Sequence, residues 1–399
     1  MSNSQFSFNR FFGGTLIVSG TTIGAGMLAL PMTSMTAGFS KSILLLFAMW
    51  AFMCLTALIT LEANLHFKQG FSIAGLAEKT LGSGGRWVAS FSIILLSSAL
   101  LAAYITGGTG LIQSSLDHLL GKTISFSILA CLYTACFGFF VNACTKAVDY
   151  VNRILFTIKM IIFVIIIVSL APHVRLENLQ TPDHSWSYLS LAVPVFFTSF
   201  GFHGSIPSII NYVGPHPRQL RWMMIIGSFF PFAIYFLWQL AALGTLHPTT
   251  TGALAATQDL PSFINSLTVA TGSVGLGLLI NGFAFLAIAT SFLGVSMGLF
   301  DFIAEQFKWS NHPGERLQTS VLTFGPPLFF ALFYPNGFLM ALGYAAIALS
   351  ILAVLLPVAV AWKIRQETGN SAAIFLFNKA VLVICLLVGI GVIAIELFH

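Results

Sequence analysis

Apolar residues run along this chain in blocks too long for soluble elements, separated by short polar punctuation. With about 20 residues needed to cross a bilayer, the blocks predict spans near 11–38, 41–65, 87–114, 123–144, 150–172, 188–213, 219–246, 270–303, 317–334, 337–361 and 375–398, eleven in all. Two spans carry helix breakers. The first holds Gly20, Thr21, Thr22, Gly24, Gly26 and Pro31; the sixth holds Gly201, His203, Gly204 and Pro207. Glycine and proline destabilise a continuous helix. In a bilayer the backbone groups freed by such a break have no water to bond, so the break survives only where protein buries it or where it lines a cavity. Interruptions at corresponding places in two halves are the sequence pointer to a secondary transporter's binding site.

Composition supports a polytopic membrane protein. The chain is 57% hydrophobic and 7% charged over 399 residues, against about 25% charged in soluble domains. Its net charge of +5 is scattered between the apolar blocks, as topology signals are, and does not form a nucleic-acid surface. With the N-terminus cytoplasmic, thirteen of the 17 lysines and arginines fall on the cytoplasmic side. Lys41, Lys122 and Arg175 fall opposite, and Lys159 lies inside a span. That asymmetry fits eleven spans with the C-terminus at His399 on the periplasmic side. Spans 1 and 6 then run in opposite directions, and each opens a group of five. An all-α fold of two inverted five-helix repeats follows, 11–172 and 188–361, with helices 1 and 6 discontinuous and one extra C-terminal helix at 375–398. Residues Phe71 to Lys79 predict a short interfacial helix, and His247 to Thr268 a longer outer loop. The five cysteines, Cys54, Cys131, Cys136, Cys144 and Cys385, show neither CxxC nor Cys/His spacing, so no disulfide framework, metal site or cofactor is expected.

The candidate chemistry clusters at the two breaks. Backbone groups of Thr21 to Gly26 suit a carboxylate at a half-helix N-terminus. Gly20 and Gly24 also have the spacing of a helix-packing face; Pro31 and the second break favour a cavity. His203, between Phe202 and Gly204, fits substrate contact, proton handling or packing support. Thr198, Ser199 and Ser205 add hydroxyls, and Phe200 and Phe202 add aromatic faces. Lys159 lies roughly 9 Å deeper than Arg153 at about 1.5 Å per residue. A buried lysine loads and releases a proton readily; the alternative is snorkelling to the interface. Glu62 reads as an interfacial carboxylate. Tyr104 has small neighbours that admit another helix, and Ala287, Thr290 and Ser291 share one helical face.

Taken together, Gly20–Met27 with Pro31, Leu61–Asn64, Ala103–Ile105, Phe197–Ser208, Thr290–Gly294, Gly298–Asp301, Phe333–Pro335 and Ala341–Tyr344 resemble the bacterial hydroxy and aromatic amino acid permeases across almost the whole chain. Residues 197–208 and Leu220–Trp222 look most like tyrosine-specific members, and Leu61–Asn64 more like tryptophan-specific ones. The resemblance implies a proton-driven amino acid importer of the inner membrane with the five-plus-five repeat of the amino acid, polyamine and organocation superfamily. It implies that Thr21, Thr22, Gly24, Ala25 and Gly26 hold the substrate's amino and carboxyl groups. Thr198, Ser199, Phe200, Gly201, Phe202 and His203 would surround its side chain, with Tyr104 near it. Sodium-driven relatives hold a cation where this chain has Gly20, Ile23, Ala287, Thr290 and Ser291; some proton-driven relatives place a lysine there, as Lys159 fits.

The expectation is proton-coupled import of aromatic L-amino acids, tyrosine first. Tryptophan or broad aromatic specificity and sodium coupling are the alternatives. A channel would need a continuous polar pore. An enzyme would need paired intramembrane carboxylates, a metal cluster or a nucleophile with a base, and Glu62 and His203 stand apart.

Overall fold

The computed structural model describes residues 8–67, 70–121, 123–143, 145–180, 187–214, 216–247, 259–309, 312–368 and 378–398. Lys68, Lys122, Cys144, Pro248 and His399 lie outside the described residues, and with them the first half of the expected outer loop.

Among the described residues all regular structure is helical. Long apolar runs leave the backbone only its own groups to bond in lipid, and a helix satisfies them within one segment. The order is α1 (Phe8–Thr22), α2 (Gly26–Ser34), α3 (Phe39–His66), α4 (Ile73–Leu81), α5 (Ser83–Leu120), α6 (Phe126–Ala143), α7 (Thr145–Leu170), α8 (Leu176–Leu179), α9 (Ser187–Ser199) and α10 (Ile206–Val213). Then follow α11 (Pro217–Thr245), α12 (Leu260–Thr271), α13 (Val274–Phe307), α14 (Pro313–Phe333), α15 (Phe338–Ser350), a π-helical stretch at Ile351–Leu355, α16 (Leu356–Thr368) and α17 (Lys379–Phe398). Eight helical segments are long and apolar enough to cross a membrane, nine if the bent pair α1 and α2 is one span. The expected spans at 123–144 and 317–334 are the helices α6 and α14, which fall short of the same length and hydropathy. The first has 18 residues, and the second carries Glu315 and Arg316 in its first turn and Pro326 and Pro327 inside it.

Both interruptions are present. α1 stops at Thr22 and α2 resumes at Gly26 with a bend of 52°. α9 stops at Ser199, and a 3-10 turn at His203–Ser205 precedes α10. α1 packs against α10 and α2 against α9, so the two interrupted helices lie side by side in opposite directions. α11 lies along α1 and α3, while α5 runs beside α13 and α15, and α7 beside α13. The outward faces are apolar: Ile161, Val164 and Val168 of α7 are exposed, which is a stable arrangement only against lipid.

The interfacial helix expected at Phe71 to Lys79 is α4, started by Ser72, whose hydroxyl accepts the Gly75 N–H at 3.1 Å. It ends at Gly82, whose φ of 78° turns the chain directly into α5; that conformation costs a side-chain-bearing residue. The outer loop is corrected in part. Its second half is the helix α12, capped by Asp259, whose carboxylate accepts the Ser262 N–H at 3.0 Å, with Phe263 and Leu267 buried beneath it.

Candidate functional site

The two breaks meet. A Cβ built on Gly26 would stand 2.9 Å from Ser199 Oγ, so only a residue without a side chain permits this approach of α2 to α9. Across the same junction the Tyr235 hydroxyl of α11 lies 2.6 Å from the Thr22 carbonyl oxygen and 3.1 Å from that of Ser199. Thr22 and Ser199 are the last residues of their half-helices, where carbonyls lack intrahelical partners and the helix dipole is negative. The other ends are positive. At the start of α2 the Ala25 N–H donates to Ser291 Oγ at 3.0 Å, and a Cβ on Gly24 would stand 2.8 Å from the same oxygen. Tyr104 is buried beside Ser291. Phe200 packs its ring against Tyr235 with centroids 5.3 Å apart. The junction thus holds both an electronegative and an electropositive point, with the rings of Phe200 and Tyr235 beside it.

Lys159 reaches this junction from α7. Its ammonium donates to the Ile23 carbonyl at 3.1 Å and to Thr290 Oγ1 at 3.2 Å, and it lies 4.7 Å from the centre of the Phe156 ring. Thr290 Oγ1 is free to accept because its own proton goes to Leu286 O at 2.9 Å or Ala287 O at 3.2 Å. The side chain is 1% exposed. Snorkelling is therefore not its geometry. Of the residues matched to a cation position, Ile23 and Thr290 touch Lys159, Ala287 lies one turn from Thr290, Ser291 turns to Ala25, and Gly20 faces Phe156 at 4.0 Å from its Cβ position.

Three expected substrate residues are placed elsewhere. Thr21 is exposed, and its hydroxyl donates back to Ile17 O at 2.8 Å. Phe202 is packed with Val18, Ala57, Leu61 and Ile206, in a cluster separate from that of Phe200. His203 shares a hydrogen bond with Thr56 Oγ1 of α3 at 2.9 Å. Successive residues of an interrupted segment point in widely different directions, so adjacency in sequence did not bring Phe200 and His203 to one side. Thr198 sits at the α9–α15 contact, its hydroxyl donating to Pro194 O at 2.8 Å, and a Cβ on Gly201 would stand 2.9 Å from a methyl of Leu349. Glu62 also differs from expectation: it is 4% exposed and forms an ion pair with Arg221 of α11.

Residues 7–396 match the tryptophan/tyrosine permease family. The chain belongs to that family. It is 37% identical over 384 residues to the tyrosine-specific transport system 1 of Haemophilus influenzae, covering 96% of this chain and 95% of that one. It is 37% identical over 390 residues to tyrosine-specific transport system 2 of the same organism, covering 97% and 96%. A tryptophan-specific transport protein of Pseudomonas aeruginosa is 34% identical over 363 residues, covering 90% and 87%. This is a permease, a multi-pass membrane protein and not an enzyme.

The permease has a cavity of about 640 Å³ whose lining includes Phe338 of α15 and Thr106 and Gly107, which lie within a turn of Tyr104 on α5. Asp117, Asp259, Asn265 and Asn336 also line it. The small neighbours of Tyr104 do admit other elements: Cβ positions on Gly107 and Gly108 lie 2.9 Å from Phe338 and from Tyr133 respectively. Tyr235 escaped sequence reading. Its only signal there was a hydroxyl deep in an apolar span.

Proposed function

We propose that this permease imports aromatic L-amino acids, tyrosine first, by alternating access coupled to protons. It would sit in a bacterial inner membrane with its N-terminus cytoplasmic and its C-terminus periplasmic. Eleven spans in two inverted groups of five, 11–172 and 188–361, would carry the site between them, with the last helix appended. The observation that carries proton coupling is the Lys159 ammonium on the Ile23 carbonyl and Thr290 hydroxyl. A protonated lysine supplies charge and donors to a carbonyl freed by the break; a neutral one binds it more weakly, and burial makes the charged form costly. Movement of α1 that removes Ile23 from Lys159 would favour release of the proton.

Substrate recognition follows from the two poles of the junction. The carboxylate would bind the first N–H groups of α2 around Ala25 and Gly26, where Ser291 is now the acceptor, because a helix N-terminus favours an anion. The ammonium would bind the Thr22 and Ser199 carbonyls. Phe200 and Tyr104 would flank the ring. Tyrosine is placed first because the relatives at 37% identity are named for its transport.

The test is radiolabelled uptake into proteoliposomes under imposed proton or sodium gradients, with unlabelled amino acids competing. Accumulation of tyrosine on a proton gradient, lost in Lys159→Met while counterflow exchange persists, is the expected result. Full accumulation by Lys159→Met overturns the coupling role. Accumulation on a sodium gradient alone would assign the Ile23, Thr290 and Ser291 oxygens to that ion, and stronger competition by tryptophan would reassign the substrate.

A further inference from the structure

Tyr235 is fully buried at the junction, and its hydroxyl oxygen lies 2.6 Å from Thr22 O and 3.1 Å from Ser199 O. A phenol hydroxyl carries one proton. Two strongly negative acceptors, each ending a half-helix, share it. That pair of carbonyls calls for a donor with several protons and a positive charge, which describes a primary ammonium. Resting on the amino acid transport proposed above, we infer that Tyr235 is a positioning residue that stands in for the substrate's ammonium: its hydroxyl pins the end of α1 to the end of α9 in the carrier without substrate, and the ammonium takes the two carbonyls over.

The consequence is kinetic. A carrier returning without substrate still buries both carbonyls, and burying an unsatisfied acceptor is costly; Tyr235 removes that cost. A loaded carrier has the ammonium for the task. Replacing the hydroxyl by hydrogen while keeping the ring, Tyr235→Phe, therefore slows steps in which the empty carrier reorients more than steps in which it moves loaded. Net uptake requires the empty return, and counterflow exchange does not.

The full-length protein and Tyr235→Phe are compared in proteoliposomes for net uptake and for counterflow exchange of radiolabelled L-tyrosine. The ratio of net uptake to exchange is expected to fall about five-fold, the effect of one hydrogen bond. Tyramine, which keeps the ammonium, should inhibit the variant at equal or lower concentration, whereas 3-(4-hydroxyphenyl)propionate, which lacks it, should be unaffected by the substitution. An unchanged ratio, or net uptake and exchange falling together, overturns the inference. A readout independent of the substrate is the thermal unfolding of the ligand-free purified protein, where Tyr235→Phe should lower the melting temperature by roughly 1–2 °C. Should the wild-type protein carry no aromatic amino acid, the transport proposal fails, and equal ligand-free melting temperatures would separately overturn the pinning by Tyr235.

Discussion

Gly26 of α2 and Ser199 of α9 touch so closely that a Cβ at the first would lie 2.9 Å from the hydroxyl of the second and 3.5 Å from its Cα. The hydroxyl is itself held, donating to Val195 O at 2.8 Å. Gly26→Ala should therefore strain the junction by about 1–3 kcal/mol, the usual cost of overpacking, and reduce uptake in intact cells. Adding Ser199→Gly to the same chain should recover most of the loss. No recovery would mean that the contact does not set the fit of the two interrupted helices.

Thr290 offers Lys159 its second acceptor at 3.2 Å, beside the Ile23 carbonyl at 3.1 Å. Thr290→Val removes it with little change of shape. Gradient-driven accumulation should fall by about ten-fold or more, corresponding to one hydrogen bond to a charged group, with exchange less affected. Equal losses in both assays would point to a packing role for Thr290.

Glu62 and Arg221 form an asymmetric pair, the carboxylate side chain 4% exposed and the arginine 46%. Removing the arginine leaves a buried charge without its partner; removing the carboxylate leaves an arginine that water can reach. Arg221→Ala should thus destabilise the protein more than Glu62→Gln, by roughly 1–3 kcal/mol after allowing for the arginine's exposure. Thermal unfolding of the two variants in one detergent checks the order, and a reversal would refute it.

His203 meets Thr56 of α3, on the side where Phe202 packs with Val18 and Leu61. Thr56→Val takes away that hydrogen bond from a buried imidazole, a loss of about 1–3 kcal/mol in stability. The order in which tyrosine, tryptophan and phenylalanine compete for uptake should stay the same. A changed order would bring His203 back to the substrate.

What the chain alone determined were those features that depend on run length and on residue type. An apolar block of sufficient length must be helical in lipid, whatever its neighbours, so up to nine of the eleven expected spans and the short helix α4 were legible. The breaks were legible because glycine and proline act through the local backbone, and Lys159 because a charge at that depth needs a partner. The tertiary structure alone decided direction. Whether Thr21 faces outward, Phe200 meets Tyr235, or His203 turns to Thr56 depends on rotation about each helix axis and on the backbone path through the break, and neighbours fix both. Tyr235 acquires its place for the same reason: the two carbonyls it bridges lie 213 and 36 residues away in sequence, and no pattern within α11 encodes their meeting.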